Sequence, residues 1–322
     1  MFALSRSSRA SAEPVAGPGR PLQSAAGAAE DGAPARGLMA WFTLLIRGMA
    51  MGLAELVPGV SGGTIAFVTG IYFELVRSLS RFGPGSVLIL VREGPLRFWR
   101  VHNLGFLLVL GLGMVLSVLA FARIFQYLLE HVRPVVWAFF FGLILASVVQ
   151  IGRTCRRRAL LSLGSLGLLG GLALLALEPV DAGASLWLYF FGGMAAISAW
   201  LLPAVSGSFL LLVFGLYEPV LEAVNALDFA VLGALAAGCV VGVMLMARLL
   251  AWLMVEYREP VLAVLTGFMA GSLVRLWPWQ VDGGLLWPVG YQIDSGQPAL
   301  VGYSVLAAFA GMVSLWLLSR LR

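Results

Sequence analysis

The chain has 322 residues, 60% of them hydrophobic and 11% charged, with a mean hydropathy of +0.95. A soluble domain carries roughly 25% charged residues, so the composition excludes a soluble enzyme and reads as an all-α polytopic membrane protein with no nucleic-acid partner. All 21 basic residues are Arg, the formal net charge is +5, and Cys155, Cys239, His102 and His131 are too few for a disulfide framework or a metal centre, so neither a metal nor a cofactor is expected.

Residues 1–37 are rich in Ala, Ser, Gly, Pro and Arg, and no apolar run precedes a cleavage site. This stretch reads as a disordered cytoplasmic tail, not a signal peptide. Apolar segments then fall at about 38–57, 64–79, 104–129, 134–151, 160–177, 185–202, 209–224, 229–252, 260–277 and 299–319. A membrane-crossing helix needs roughly 20 apolar residues. Two segment pairs are interrupted by polar breaks: "ELVPGVSGGTIAF" at 55–67 and "LLPAVSGSFLL" at 201–211. Residues 81–103 read either as a short amphipathic surface helix or as a solvated basic loop.

Arginine placement orients the chain. "RTCRRR" at 153–158 is a short basic loop and the strongest cytoplasmic marker; Arg77, Arg81, Arg92, Arg97 and Arg100 mark a second, and Arg320 and Arg322 put the C-terminus inside. Residues 277–299 carry no basic residue and several aromatics, so they read as an outer loop with an aromatic belt. Both termini are then cytoplasmic. The markers agree only if 38–79 enters and leaves from inside and 185–224 enters and leaves from outside, as re-entrant hairpins.

The two breaks are copies. With Gly48 set against Gly193, Pro58 meets Pro203, Val60-Ser61-Gly62 meets Val205-Ser206-Gly207, and Gly70 and Tyr72 meet Gly215 and Tyr217. Each half is a broken-helix hairpin followed by three spans, about 38–177 and 185–319, within one membrane domain at 38–322. An odd number of crossings separates the hairpins, so the repeats are expected to be inverted. Inverted repeats with broken helices mark secondary transporters, whose sites lie at the repeat interface.

Irregular backbone at membrane depth is tolerated only when buried or lining a wet cavity. Pro58, Gly59 and Pro203 are the helix breaks. Ser61 is a candidate N-cap, and Ser61, Gly62, Gly63 and Thr64, with Ser206, Gly207 and Ser208, form candidate cradles of backbone N–H groups for a phosphate. Close packing of small residues is the plain alternative. Glu55 is a candidate proton carrier, arginine partner or backbone cap. Arg47 suits pairing with Glu55 or the ligand, or snorkelling to the surface. Arg123 and Arg275 suit snorkelling or receipt of a phosphate headgroup at the outer face.

"MGLAELVPGVSGGTIAFVTGIY" (51–72), "FFGLILAS" (140–147) and "LLPAVSGSFLLLVFGLYEPVL" (201–221) resemble the polyprenyl-phosphate (undecaprenyl-phosphate) transporter family of the PopT type, formerly a domain of unknown function. The chain departs from that pattern at Pro203-Ala204, where Pro-Gly is expected, and at Glu55, where a shorter polar residue is commoner. The resemblance implies translocation of undecaprenyl phosphate across the bacterial plasma membrane, from outer to inner leaflet, for recycling of the lipid that carries envelope polymers. The partners it implies are the polyprenyl-phosphate lipid and the bilayer. Transport of a small soluble anion is the competing reading. An intramembrane serine enzyme needs a base beside the serine, and neither histidine lies in an apolar segment.

Overall fold

A computed structural model describes residues 36–56, 61–175, 185–203, 205–281 and 284–320. Pro58, Gly59 and almost all of the expected tail lie outside the described residues. Of residues 1–37 only Arg36 and Gly37 are described, and Arg36 is pinned: it pairs with Glu74 and lies over the rings of Trp41 and Phe106. The chain is a helical membrane protein; its only strands among the described residues are a two-residue pair, β1 (Gln280–Val281) and β2 (Gly284–Leu285).

The first half begins with α1 (Leu38–Glu55), which stops short of Pro58. The return from the first break was expected as one helix over 64–79. It is instead two, α2 (Gly62–Val68) and α3 (Tyr72–Ser80). The reason is Gly70, whose φ of +78° is closed to most residues. The Ile71 N–H reaches back to the Ala66 carbonyl and the Gly70 N–H to Phe67, the paired bonds of a glycine-terminated helix. The second half repeats this. After α9 (Leu186–Leu201), α10 (Gly207–Val213) and α11 (Tyr217–Ala226) diverge by 104° at Gly215, φ +65°, with Leu216 bonded to Leu211 and Gly215 to Leu212.

The long helices follow. The first half has α6 (Leu104–His131), α7 (Arg133–Gly152) and α8 (Arg157–Leu175); the second has α12 (Phe229–Glu256), α13 (Arg258–Ser272) and α15 (Val301–Arg320). Among the described residues five helices are long and apolar enough to cross a membrane on their own, namely α1, α6, α7, α12 and α13 with its 3-10 extension to Leu276; α10 and α11, taken as one bent span, make a sixth. Residues 160–177, expected as a span, fall in α8 as far as they are described, and α15 is the corresponding shorter apolar helix.

Contacts recur between the halves. α1 packs on α6 and α9 on α12. A Cβ on Gly113 would lie 2.4 Å from the Leu45 carbonyl oxygen, and one on Gly238 would lie 1.9 Å from that of Phe190. Leu45 and Phe190 correspond when Gly48 is set against Gly193. The last helix of each half packs on the other half: α8 on α13, and α15 on α7. There a Cβ on Gly167 would meet the Val264 oxygen and one on Gly311 the Phe139 oxygen, each at 2.0 Å. Small residues supply this approach because lipid offers helices no hydrophobic drive to associate.

The basic loop lies at one end of the molecule with the α12–α13 connection, where Arg156 pairs with Glu259 at 3.6 Å. Residues 81–103 are ordered as α4 (Pro84–Glu93) and α5 (Pro95–Val101), with Val87, Val91, Leu96 and Trp99 exposed beside Arg92, Arg97 and Arg100. His102 is not in a solvated loop: it is buried, with its Nε2 2.8 Å from the Ser86 hydroxyl and its Nδ1 2.9 Å from the Phe98 carbonyl. His131 is the exposed last residue of α6. Residues 277–299 contain β1, β2 and α14 (Pro288–Ser295). Their aromatics divide: Trp287 is exposed, but Trp279 is buried against Tyr291 and Ala299 and donates to the Ala299 carbonyl at 2.8 Å.

Candidate functional site

The first break engages its own backbone donors. Ser61 is the N-cap of α2, its hydroxyl accepting the Gly63 N–H at 3.1 Å. The Gly62 N–H goes to Glu55 Oε1 at 2.7 Å, and the Thr64 N–H to the Ser61 carbonyl at 2.9 Å. The donors that the sequence offers to a ligand, Gly62, Gly63 and Thr64, are therefore already engaged. Ser61 and Thr64 are fully buried. The acceptor at this helix start is the protein's own Glu55 side chain.

The second break differs because Trp200 stands where the first has Glu55. Ser206 precedes α10 in an extended conformation, and its side chain does not cap the helix. Its hydroxyl instead lies 2.8 Å from that of Ser208. Among the described residues the Gly207 and Ser208 N–H groups have no acceptor. Arg275 reaches this break, with its guanidinium 4.0 Å from the Phe209 ring centroid. Two hydroxyls, free backbone donors and an arginine thus sit together. α2 and α10 are two-turn helices, so local donors matter here more than an accumulated helix dipole.

The two breaks touch. Glu55 Oε1 also accepts the Trp200 indole N–H at 2.7 Å. The Ser61 hydroxyl lies 3.4 Å from the Trp200 carbonyl, and the Tyr72 hydroxyl donates to the Leu201 carbonyl at 2.6 Å. Gly63 permits this approach, since a Cβ there would lie 2.7 Å from the Trp200 oxygen. Glu55 is in no described ion pair and bridges the halves. Tyr72 was legible only as a repeated residue; its role needed the partner carbonyl. Pro203 is buried in the turn after α9.

The remaining candidates are dispersed. Arg47 lines a cavity of about 600 Å³ with Arg36, Thr43, Thr69 and Gly70. Arg123 is exposed on α6. Another cavity, about 400 Å³, begins where α1 ends, at Leu56, and is bounded by α6 and the start of α7.

A family description reading "undecaprenyl phosphate translocase-like" matches residues 51–286. The chain belongs to this family. The matched stretch includes both breaks. Among curated relatives, the polyprenyl-phosphate transporter of Vibrio cholerae is 38% identical over 245 residues, covering 75% of this chain and 79% of the relative. The polyprenyl-phosphate transporter of Staphylococcus aureus is 32% identical over 268 residues, covering 77% and 89%. No solved structure matches the chain.

Proposed function

We propose that this chain is a transporter, not an enzyme, and that it carries undecaprenyl phosphate across the bacterial plasma membrane from the outer to the inner leaflet. It would thereby return the lipid carrier used for envelope polymers. The family and its two named relatives support the substrate class. The observation that carries the site is the second break: Ser206 and Ser208 hydroxyls 2.8 Å apart, Gly207 and Ser208 N–H groups with no acceptor among the described residues, and Arg275 over Phe209.

A phosphate monoester, with a second pKa of about 6, offers these donors mainly charged acceptor oxygens at neutral pH, and charge-assisted hydrogen bonds are about twice as strong as neutral ones. Arginine adds a planar fork matched to phosphate oxygens. The first break, closed by Glu55, serves as a rigid wall. The inverted arrangement of the halves supplies two equivalent states facing opposite leaflets.

The deciding experiment is translocation of undecaprenyl phosphate in vesicles that hold only this purified chain. Protein-dependent movement of the lipid phosphate is expected, with Arg275→Gln and the Ser206→Ala/Ser208→Ala pair each reducing it about tenfold or more, on the loss of charge-assisted bonds. Uptake of inorganic phosphate without lipid movement would instead establish a soluble-anion carrier.

A further inference from the structure

The cavity at the end of α1 is built from both apolar and donor groups. Its walls include Leu56, Phe125, Leu129, Gln126, Arg133 and Trp137. Arg133 also borders a neighbouring cavity of about 320 Å³ beneath Gln280, Tyr291 and Gln297. Arg133 forms no ion pair among the described residues, and its guanidinium stands 5.8 Å from the Trp137 ring centroid. Trp137 is almost wholly buried, yet its indole N–H has no acceptor. Buried donors are rarely left so. The one carboxylate on the wall, Glu130, is held by the Gln126 amide at 3.0 Å.

We propose that this cavity is a loading site for the phosphate monoester headgroup of a lipid, with Arg133 and the Trp137 N–H as its ligands. It rests on the transport reading above. An arginine fork and an unclaimed indole N–H call for a group that only accepts hydrogen bonds. Leu56, Phe125 and Leu129 suit the first carbons of a lipid chain. Leu56 adjoins the first break, so a headgroup bound here is one step from the two breaks.

The test uses the full chain in vesicles, with undecaprenyl phosphate and inorganic phosphate as separate probes. Trp137→Phe keeps the ring and removes the donor. It and Arg133→Gln are expected to raise the half-saturating lipid concentration roughly tenfold, with the saturated rate and melting temperature unchanged and Arg133→Lys recovering part of the loss. Unchanged half-saturation in both variants of an active protein would overturn the site and leave transport standing. A wild-type chain that moves no lipid phosphate would overturn the transport reading itself. Saturable inorganic phosphate uptake sensitive to both substitutions, without lipid movement, would assign the site to free phosphate and overturn the lipid headgroup.

A separate observation concerns α11. In the register that pairs Tyr72 with Tyr217, the same face is 2% exposed at Tyr72 and 0% at Val76, but 40% at Tyr217 and 47% at Leu221. α3 lies on α12, where Ala247, Leu250 and Met254 are buried. α11 has no comparable packing on α6. With Gly113 set against Gly238, the counterparts of Ala247, Leu250 and Met254 are Ala122, Phe125 and Leu129, which line the open cavity. Arg248 donates to the Phe82 carbonyl at 2.9 Å and lies 3.4 Å from that of Ser80. Its counterpart Arg123 makes no such bond among the described residues.

We infer that α11 is the gate of this cavity and that the structure holds it open. On closing, α11 pivots at Gly215 onto α6, Tyr217 donates to the Leu56 carbonyl, and Arg123 takes the carbonyls of Asn225 and Leu227. α3 leaves α12 in exchange. Cysteine pairs test this in the full chain with Cys155 and Cys239 replaced by Ala. Leu221→Cys with Ala122→Cys is expected to cross-link and to halt transport until reduced, as is Val76→Cys with Ala247→Cys. Adding Arg123→Gln should lower the yield of the first cross-link several-fold and spare the second. Cross-linking of the Val76 and Ala247 pair alone would overturn the gate.

Discussion

Glu55 and Trp200 hold the two breaks together, the carboxylate accepting the indole N–H at 2.7 Å, and they occupy the same position in the two copies of the motif. One copy carries the acceptor and the other the donor. This bond joins the two halves directly.

A bridging role separates two substitutions at Glu55. Gln offers the same carbonyl oxygen to Gly62 and Trp200, whereas Leu strands both donors. Leaving a buried donor unmade costs about 1–3 kcal/mol each. Glu55→Leu is therefore expected to lower the melting temperature sharply and Glu55→Gln to preserve it, by thermal denaturation in detergent. The pH profile of transport is expected to be the same in Glu55→Gln as in the wild type. A flattened profile would show that this carboxylate carries protons.

The serines of the two breaks should answer differently. Ser61 is fully buried and caps α2. Removing a cap costs about 1 kcal/mol, so Ser61→Ala should lose stability while Ser61→Leu should fail to fold. Ser206→Ala with Ser208→Ala should leave the melting temperature almost unchanged and lower transport. Paired melting and flipping assays distinguish the two patterns.

Backbone geometry gives a graded pair. Gly215 has φ +65°, a region that costs other residues roughly 1–2 kcal/mol. Gly238 faces the Phe190 carbonyl, with only 1.9 Å to a built Cβ. Gly215→Ala should fold and slow transport by biasing the α10–α11 bend. Gly238→Ala should separate α9 from α12 and yield little folded protein, read as monodisperse material on size-exclusion chromatography.

Sidedness is testable at Ser80 and Ala226, the ends of α3 and α11. Cysteines placed there are expected to label from opposite faces of the membrane. The native Cys155 should interfere little: burial, with the Glu259 carboxylate adding to it, raises its thiol pKa. A raised pKa means less thiolate at neutral pH and slow labelling, with reaction speeding up only under alkaline conditions. Same-face labelling of the two introduced cysteines would end the inverted arrangement.

The breaks, their repetition and most helix positions were legible because Pro, Gly and Ser stand out against an apolar background. The bends within the returning segments were legible in part: Gly70 and Gly215 were visible as repeated glycines, but their φ was not. The chemical difference between the breaks was written in Glu55 against Trp200, yet reading it required knowing that the two side chains touch. Trp137 and Arg133 carried no local signal at all. An aromatic four residues from an arginine in an apolar helix is ordinary until the hydrogen bonds are followed and one indole N–H is left over. The internal bonds of Gly62–Thr64 were hidden for a similar reason, since a sequence lists donors without saying which are already taken.

The exchange of α8 and α15 between halves has a consequence for how such a chain can arise and be divided. Each half offers its neighbour a helix and lacks the one that would cover its own second long helix. Cut between residues 175 and 185, neither fragment could complete its own packing, but the two fragments supplied together could. A single-copy forebear would have needed a second molecule beside it, clasped by the same helices that now belong to one polypeptide.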